Sequence, residues 1–299
     1  MVTRVSICIC TFKRPMLLRN LLTRLFSQRS EGRFSYDIVI VDNDFAGSAG
    51  PVVRSVGSAF SVPIRYLVEP EQNIALARNK ALEAASGQFV AFIDDDEVPE
   101  SDWLITLLGA IKSFGADGVL GPVKPDFQGA PPRWVLRGRF FERPSHETGH
   151  VLDWWECYTG NVLFKRCIIE DLDPPFRKEL GSGGEDRDFF RRLIAKGRLF
   201  VWCESAVVHE TITPFRWKRR VMIQRALLRG KMAVRQRDRL AWSLAKSALA
   251  TLCYSSALPF AALLGQACFM KCLVKNCDHV GKLLAAFGID VIKARYITE

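Results

Sequence analysis

The chain has 299 residues, 48% of them apolar, and a net charge of +10. That length and apolar content exclude a disordered or fibrous chain and allow one large α/β domain with an appendage, or two small domains. The charge is local. Arg216, Lys218, Arg219, Arg220, Arg225, Arg229, Lys231, Arg235, Arg237 and Arg239 are opposed only by Asp238 between Pro214 and Arg239, which leaves the remainder nearly neutral. No recognition motif accompanies this basic run, so no nucleic-acid partner is expected. The nine cysteines form neither a CxxC pair nor a His–Cys zinc spacing, and read as buried thiols of a reducing compartment. Met1 to Arg4 runs directly into a strand, without a charged leader and apolar signal region, so no secretion is inferred.

Val5 to Cys10 is an apolar run typical of a buried strand, broken by Thr11-Phe12-Lys13-Arg14-Pro15. Met16 to Phe26 predicts a helix through Leu18, Leu21, Leu22 and Leu25. Asp37 to Val41 predicts a second strand, ending at Asp42-Asn43-Asp44, and Gly47, Gly50 and Pro51 mark a loop. Val52 to Phe60 predicts a short helix, Ile64 to Val68 a third strand, and Asn73 to Ser86 a helix stopped by Gly87. Phe89 to Ile93 reads as a strand buried on both faces, ending in Asp94-Asp95-Asp96-Glu97. Pro99 opens a helical pattern through Trp103, Leu104, Leu107, Leu108 and Ile111. The alternation predicts an α/β fold with a Rossmann-like, mostly parallel central sheet flanked by helices on both faces.

Thr11, Asp42 and Asp94 to Asp96 all fall just past strand carboxyl ends, where open α/β sheets bind ligands. Clustered carboxylates suit a hard divalent cation, and a cation implies a phosphate-bearing ligand. The alternative is a solvated acidic loop. Asp42 suits a base or ribose, or caps a turn. Arg78 contacts a nucleotide or solvates its helix.

Val119 to Pro122 predicts another strand, and Lys124 to His150 lacks periodicity and reads as a long loop that orders on ligand binding. Trp154, Trp155 and Tyr158 offer ring faces to a sugar or to the core. Thr159-Gly160-Asn161 leads into the strand Val162-Leu163-Phe164. A glycine-rich approach from Leu180 precedes a helix from Asp186 to Lys196. Asp186 at its start is a base, with Glu185 beside it to raise its pKa, or an ordinary cap. Leu199 to Cys203 and Ala206 to Val208 are strand-like, and His209 ends the second. Pro214 to Arg239 predicts a basic helix. Ser247 to Met270 holds no charged residue, which leaves three readings: in-plane membrane helices, soluble packing, or a span.

In this order the pieces resemble the family 2 glycosyltransferases with their GT-A fold, and more narrowly the bacterial exopolysaccharide glucosyltransferases of the succinoglycan type. The likeness is carried by Val5 to Pro15, Val39 to Asn43, Asn73 to Ala85, Ile93 to Pro99, Thr159 to Asn161 and Gly184 to Asp186. The narrower likeness rests on Leu120 to Val123, Ala130 to Trp134 and Ser182 to Asp186. The resemblance implies an inverting transfer from a nucleotide sugar, usually a UDP-sugar, with Mn²⁺ or Mg²⁺. Asp42 matches the base-binding acid, Arg78 a nucleotide-contacting arginine, and Thr11 a residue near the nucleoside. Asp94 and Asp96 match the Asp-x-Asp motif, Asp95 lying between them at the donor, with Asp96 the direct ligand. His209 matches a late histidine at the metal or diphosphate. Asp186 matches the general base, and Glu185, Trp155 and Asn161 are placed at the acceptor. No Gln-x-x-Arg-Trp sequence of processive synthases is present, which implies addition of one sugar per acceptor.

The expected organisation is a catalytic domain over 1–213 (nucleotide-sugar half about 1–122, acceptor half about 123–213) and a helical, membrane-associated region over 214–299. A glycan or lipid-linked acceptor and a place at the inner face of a bacterial cytoplasmic membrane are expected. A sugar nucleotidyltransferase is disfavoured because Thr11 to Pro15 contains no glycine. A non-catalytic scaffold leaves Asp94, Asp96, Asp186 and His209 without a joint purpose.

Overall fold

The computed structural model describes residues 2–59, 61–234, 240–289 and 291–292. Strand β1 (Thr3–Thr11) leads to α1 (Pro15–Leu25), where Pro15 in the first turn supplies a preset φ. Then come β2 (Phe34–Asp42), α2 (Gly50–Gly57), β3 (Ile64–Val68) and α3 (Ile74–Ala84), with Asn73 accepting hydrogen bonds from the α3 amides of Ala75 and Leu76. Strand β4 (Phe89–Phe92) precedes β5 (Glu97–Pro99), α4 (Trp103–Ser113), β6 (Gly118–Leu120), β7 (Val123–Phe127) and α5 (Arg133–Gly138). After β8 (Val162–Lys165) come α6 (Glu185–Ala195), β9 (Phe200–Trp202) and β10 (Val208–Ile212), then α7 (Arg219–Ala233), α8 (Leu240–Leu263) and α9 (Gln266–Ala286).

The central sheet has seven strands in the order β3-β2-β1-β4-β8-β6-β9. All run parallel except β8, which is antiparallel to both neighbours. Alternation sends Ile7 and Ile9 to one face and Cys8 to the other. The first face packs against Leu18, Leu21 and Leu22 of α1 and Trp103, Leu104 and Leu107 of α4. The second packs against Ala77 and Ala81 of α3 and Phe189, Phe190 and Leu193 of α6. Helices on both faces leave the carboxyl edge of the sheet open, and the expected α/β architecture is present.

Three local expectations fail for one reason. Helix α4 starts at Trp103 rather than Pro99, because Glu97 to Pro99 pairs antiparallel with Glu210 to Val208. The unperiodic stretch 124–150 contains β7 and α5. His209 lies inside a strand rather than at its end. Strands β5, β10 and β7 form a second small sheet in that order. Segments of three to six residues carry no readable period.

The chain divides into two compact units: Met1–Asp126 with Arg143–Gly181 and Glu185–Thr211, and Phe127–Glu142 with Ser182–Gly184 and Ile212–Glu299. In the second unit, glycines bring α7 and α9 together. A Cβ at Gly230 would lie 2.1 Å from the Asp278 carbonyl oxygen, and one at Gly281 would lie 2.3 Å from that of Leu227. Arg229 and Asp278 form an ion pair across this contact at 3.0 Å. The uncharged stretch 247–270 is split at Gly265, whose φ of +105° separates α8 from α9. Among the described residues no helix is long and apolar enough to cross a membrane, which removes the spanning reading. Arg235, Arg237 and Arg239 of the basic run lie outside the described residues. All nine cysteines are free, but Cys167 and Cys253 are exposed rather than buried.

Candidate active site

The acids at the end of β4 are not equivalent. Asp95 accepts from the Thr11 hydroxyl at 2.7 Å and from Arg14 at 3.0 Å. Arg14 also reaches Asp96 at 3.3 Å. The side chains of Asp95 and Asp96 are 6% and 11% exposed, whereas that of Asp94 is 45% exposed. Burial raises the Asp95 carboxyl above its ordinary range despite Arg14. Thr11 and Asp95 were expected at the donor. In the structure they brace the acid turn: the Thr11 hydroxyl donates to Asp95, which also pairs with Arg14.

Glu97, fully buried, accepts from the Asp94 amide through Oε2 at 3.1 Å, while Oε1 has no hydrogen-bond partner. Burial pushes its carboxyl well above the ordinary value, Asp94 adds to this, and Arg143 opposes it. Arg143 lies 3.9 Å from Glu97 and 3.0 Å from Glu210, the partner of Glu97 in the β5–β10 register. Gly160 makes room for this cluster. A Cβ there would lie 2.6 Å from Glu97 Oε1 and 3.0 Å from Asp94 Oδ2. Asn161 was expected to meet an acceptor. It is fully buried, accepting from Trp103 Nε1 at 2.7 Å and donating to the carbonyls of Pro122 and Ala206 at 3.1 and 2.8 Å. With φ at +99°, which asparagine tolerates better than most residues, it is a strut that holds the entry to β8.

Arg78 ties two elements together. Its guanidinium pairs with Glu185 at the start of α6 and lies 3.8 Å from Asp94. Glu185 is buried, and burial pushes its carboxyl up to about 7 against the opposing pull of Arg78, with Asp186 adding to the rise. Asp186 is half-buried and lines a cleft of about 480 Å³ with Arg143, His146, Trp155, Glu156 and Tyr158. Tyr158 donates to the Gly121 carbonyl at 2.9 Å, and Arg143 lies over its ring. Trp154 packs against the core, as one of the two adjacent tryptophans was expected to, while Trp155 is 56% exposed.

Two further expected site residues, Asp42 and His209, are placed as follows. Asp42 is fully buried, accepting from the amides of Asp44 and Ala49 at 3.1 and 2.7 Å and from the Tyr66 hydroxyl at 2.9 Å. These bonds fasten the loop after β2. His209 pairs in register with Val98, so strand alternation sends its ring away from Glu210 and Arg143. Its Nε2 lies 3.2 Å from Glu100 in a separate hollow lined by Arg24 and Ser27.

The residues present fit a hard divalent cation. Asp94 is open, Asp96 follows in the same turn, and the missing side chain of Gly160 leaves Asp94 Oδ2 and Glu97 Oε1, which accepts no hydrogen bond, facing one notch. Few carboxylates suffice where phosphate oxygens and water complete the shell. The sequence reading missed Arg14 and Arg143. Arg14 had a signal, a basic pair just past β1. Arg143 had none, since it sits in the unperiodic segment.

A mostly parallel sheet with one reversed strand, acids at its carboxyl edge and a carboxylate opening a helix beside an open cleft define a transferase of the GT-A type. The chain belongs to glycosyl transferase family 2, which it matches over residues 6–171. It is 32% identical over 272 residues to the succinoglycan biosynthesis protein ExoM of Rhizobium meliloti, covering 85% of this chain and 86% of that protein. It is 27% identical over 215 residues to glycosyltransferase AglE of Haloferax volcanii, covering 71% and 68%. The solved mannosyltransferase PcManGT from Pyrobaculum calidifontis, in complex with GDP-Man and Mn²⁺, shares the fold with a TM-score of 0.64 at 19% identity, over 96% of this chain and 88% of that one. S. aureus TarS 1–349 in complex with UDP-GlcNAc gives a TM-score of 0.56 at 14% identity, over 96% and 93%.

Proposed function

We propose that the chain is an inverting, metal-dependent hexosyltransferase that moves one sugar, glucose from UDP-glucose, to a lipid-linked glycan in exopolysaccharide synthesis. The observation that carries this reading is the chain Asp94–Arg78–Glu185, which couples the acid turn to the start of α6, where Asp186 enters an open cleft. The name of the 32% identical relative supports an exopolysaccharide product, and the sugar nucleotides named with the fold neighbours support a nucleotide-sugar donor.

In this mechanism the acceptor hydroxyl lies in the cleft against Trp155, and Asp186 takes its proton as the oxygen attacks the sugar C1. Arg78 lies beside the departing diphosphate, and Glu185 holds Arg78 in place. Mn²⁺ or Mg²⁺ at Asp94 and Asp96 would neutralise the charge on the leaving group. Residues 1–213 serve as the catalytic part (donor half about 1–122, acceptor half about 123–213), and 214–299 serve membrane association at the inner face. The exposed Leu249, Leu252, Phe260 and Leu263 of α8 support an in-plane helix, and the basic residues of α7 would suit anionic headgroups.

The deciding experiment is Asp186→Asn. Donor affinity, measured by calorimetry with UDP-glucose and Mn²⁺, should match the parent, while transfer falls by about 10²–10⁴-fold. Undiminished transfer removes Asp186 as the base.

A further inference from the structure

The structure assigns a second divalent metal site, of the transition-metal kind, to His146, His150 and Glu156. Two of the four histidines in the chain meet here. Among the described residues this is the one group of three or more His, Cys, Asp or Glu side chains whose ligand atoms all lie within 4.8 Å of one another. Glu156 Oε1 lies 3.3 Å from His146 Nε2 and 3.5 Å from His150 Nε2. Tetrahedral ligands held at about 2.0–2.1 Å from zinc are about 3.3–3.4 Å apart, so these separations already match two edges of such a site.

The ligands are braced from behind. His150 sits in a segment added to the edge of β9. The Gly149 amide donates to the Trp202 carbonyl, the Trp202 amide to the His150 carbonyl, and the Leu152 amide to the Phe200 carbonyl, each at 2.9 Å. His146 stands edge-on to the buried Trp202 ring, 5.3 Å between centroids, and lies parallel to His150 at 4.3 Å, so binding one ion turns one imidazole out of this stack until both in-plane nitrogen lone pairs converge. Glu156 Oε2 accepts from the Asp153 amide at 2.9 Å, which turns Oε1 toward both imidazoles. The Asp153 amide thus orients one ligand, the Glu156 carboxylate.

Two imidazoles and one carboxylate suit Zn²⁺ and leave a fourth position open. The acids at Asp94 and Asp96 offer only hard oxygen donors, so the two sites sort different cations. His146 and Glu156 also line the cleft that holds Trp155 and Asp186. A bound ion would therefore clip the wall between Pro144 and Tyr158 into one shape. This site stands apart from the transfer chemistry proposed above and does not depend on it.

The test uses the full chain in excess Mg²⁺, which occupies the hard site, with Co²⁺ as the spectroscopic probe. One Co²⁺ per chain should bind with the intense visible absorption of a four-coordinate ion, and one equivalent of Zn²⁺ should bleach it. His146→Gln and Glu156→Gln should lose the absorption at Co²⁺ concentrations that saturate the parent, and Asp96→Asn should keep it. His150→Gln is a second histidine variant, and native near-ultraviolet dichroism is required of each protein compared. The assignment is overturned if the parent shows no four-coordinate absorption, if the His146 and Glu156 variants retain it, or if only Asp96→Asn abolishes it.

Discussion

Arg78 donates to Glu185 across 107 positions of sequence, and both side chains are buried. Truncating one partner strands the other charge in a medium that cannot solvate it. Arg78→Met should destabilise the protein by about 3–5 kcal/mol in urea unfolding. The double variant Arg78→Met/Glu185→Leu should recover most of that loss. Similar stability of the single variant and the parent would show that water reaches the pair.

Gly160 is expected to tolerate no side chain. A Cβ would press on Glu97 Oε1 at 2.6 Å and Asp94 Oδ2 at 3.0 Å. Gly160→Ala should cost about 1–3 kcal/mol as an overpacked site and should weaken Mn²⁺-dependent donor binding. Isothermal titration of the donor with and without Mn²⁺ separates the two effects. Unchanged metal dependence would move the cation away from this notch.

Glu97 gives the protein a pH dependence of predictable sign. Its folded carboxyl titrates well above the ordinary 4.5, so between those values the folded chain binds a proton that the unfolded chain has released. Stability contributed by this group is therefore present below pH 4.5 and lost as pH rises, with a slope of at most about 1.4 kcal/mol per pH unit. The groups facing it are Asp94, Asp96, Arg143 and Glu210. Chemical denaturation from pH 4 upward should show a shallower decline for Glu97→Gln than for the parent. Parallel curves would show that Glu97 is not the group responsible.

Trp155 presents most of its ring to solvent at the rim of the cleft. Trp155→Ala should raise the acceptor KM by about three- to tenfold, the value of one aromatic contact, and leave the donor KM alone. A change in donor KM would place the ring at the other substrate.

Much of the sheet was legible because burial on both faces writes mostly apolar runs, as in Val5 to Cys10 and Phe89 to Ile93. The acids at the end of β4 were legible because four like charges in a row need a purpose. The orientation of His209 was not, because the face it takes is set by its pairing with Val98, more than a hundred residues earlier. The burial of Asp42 and Asn161 was equally silent, since their partners are mostly backbone groups of loops and a distant indole. The cluster of His146, His150 and Glu156 has an irregular spacing that becomes meaningful only once the segment lies along β9.

Strand β8 runs against its neighbours, and Val162 stands opposite Phe92 on one side and Leu120 on the other. The chain that leaves β6 at Leu120 thus returns to the same rung of the ladder at Val162. Everything from 121 to 161 is an excursion with both ends clamped side by side, and doubling its length would add only about 0.6 kcal/mol of closure entropy. Such a segment behaves as a cassette. Its interior can change in length while Gly160 and Asn161 at its exit, and the strands that hold the acid turn, keep their places.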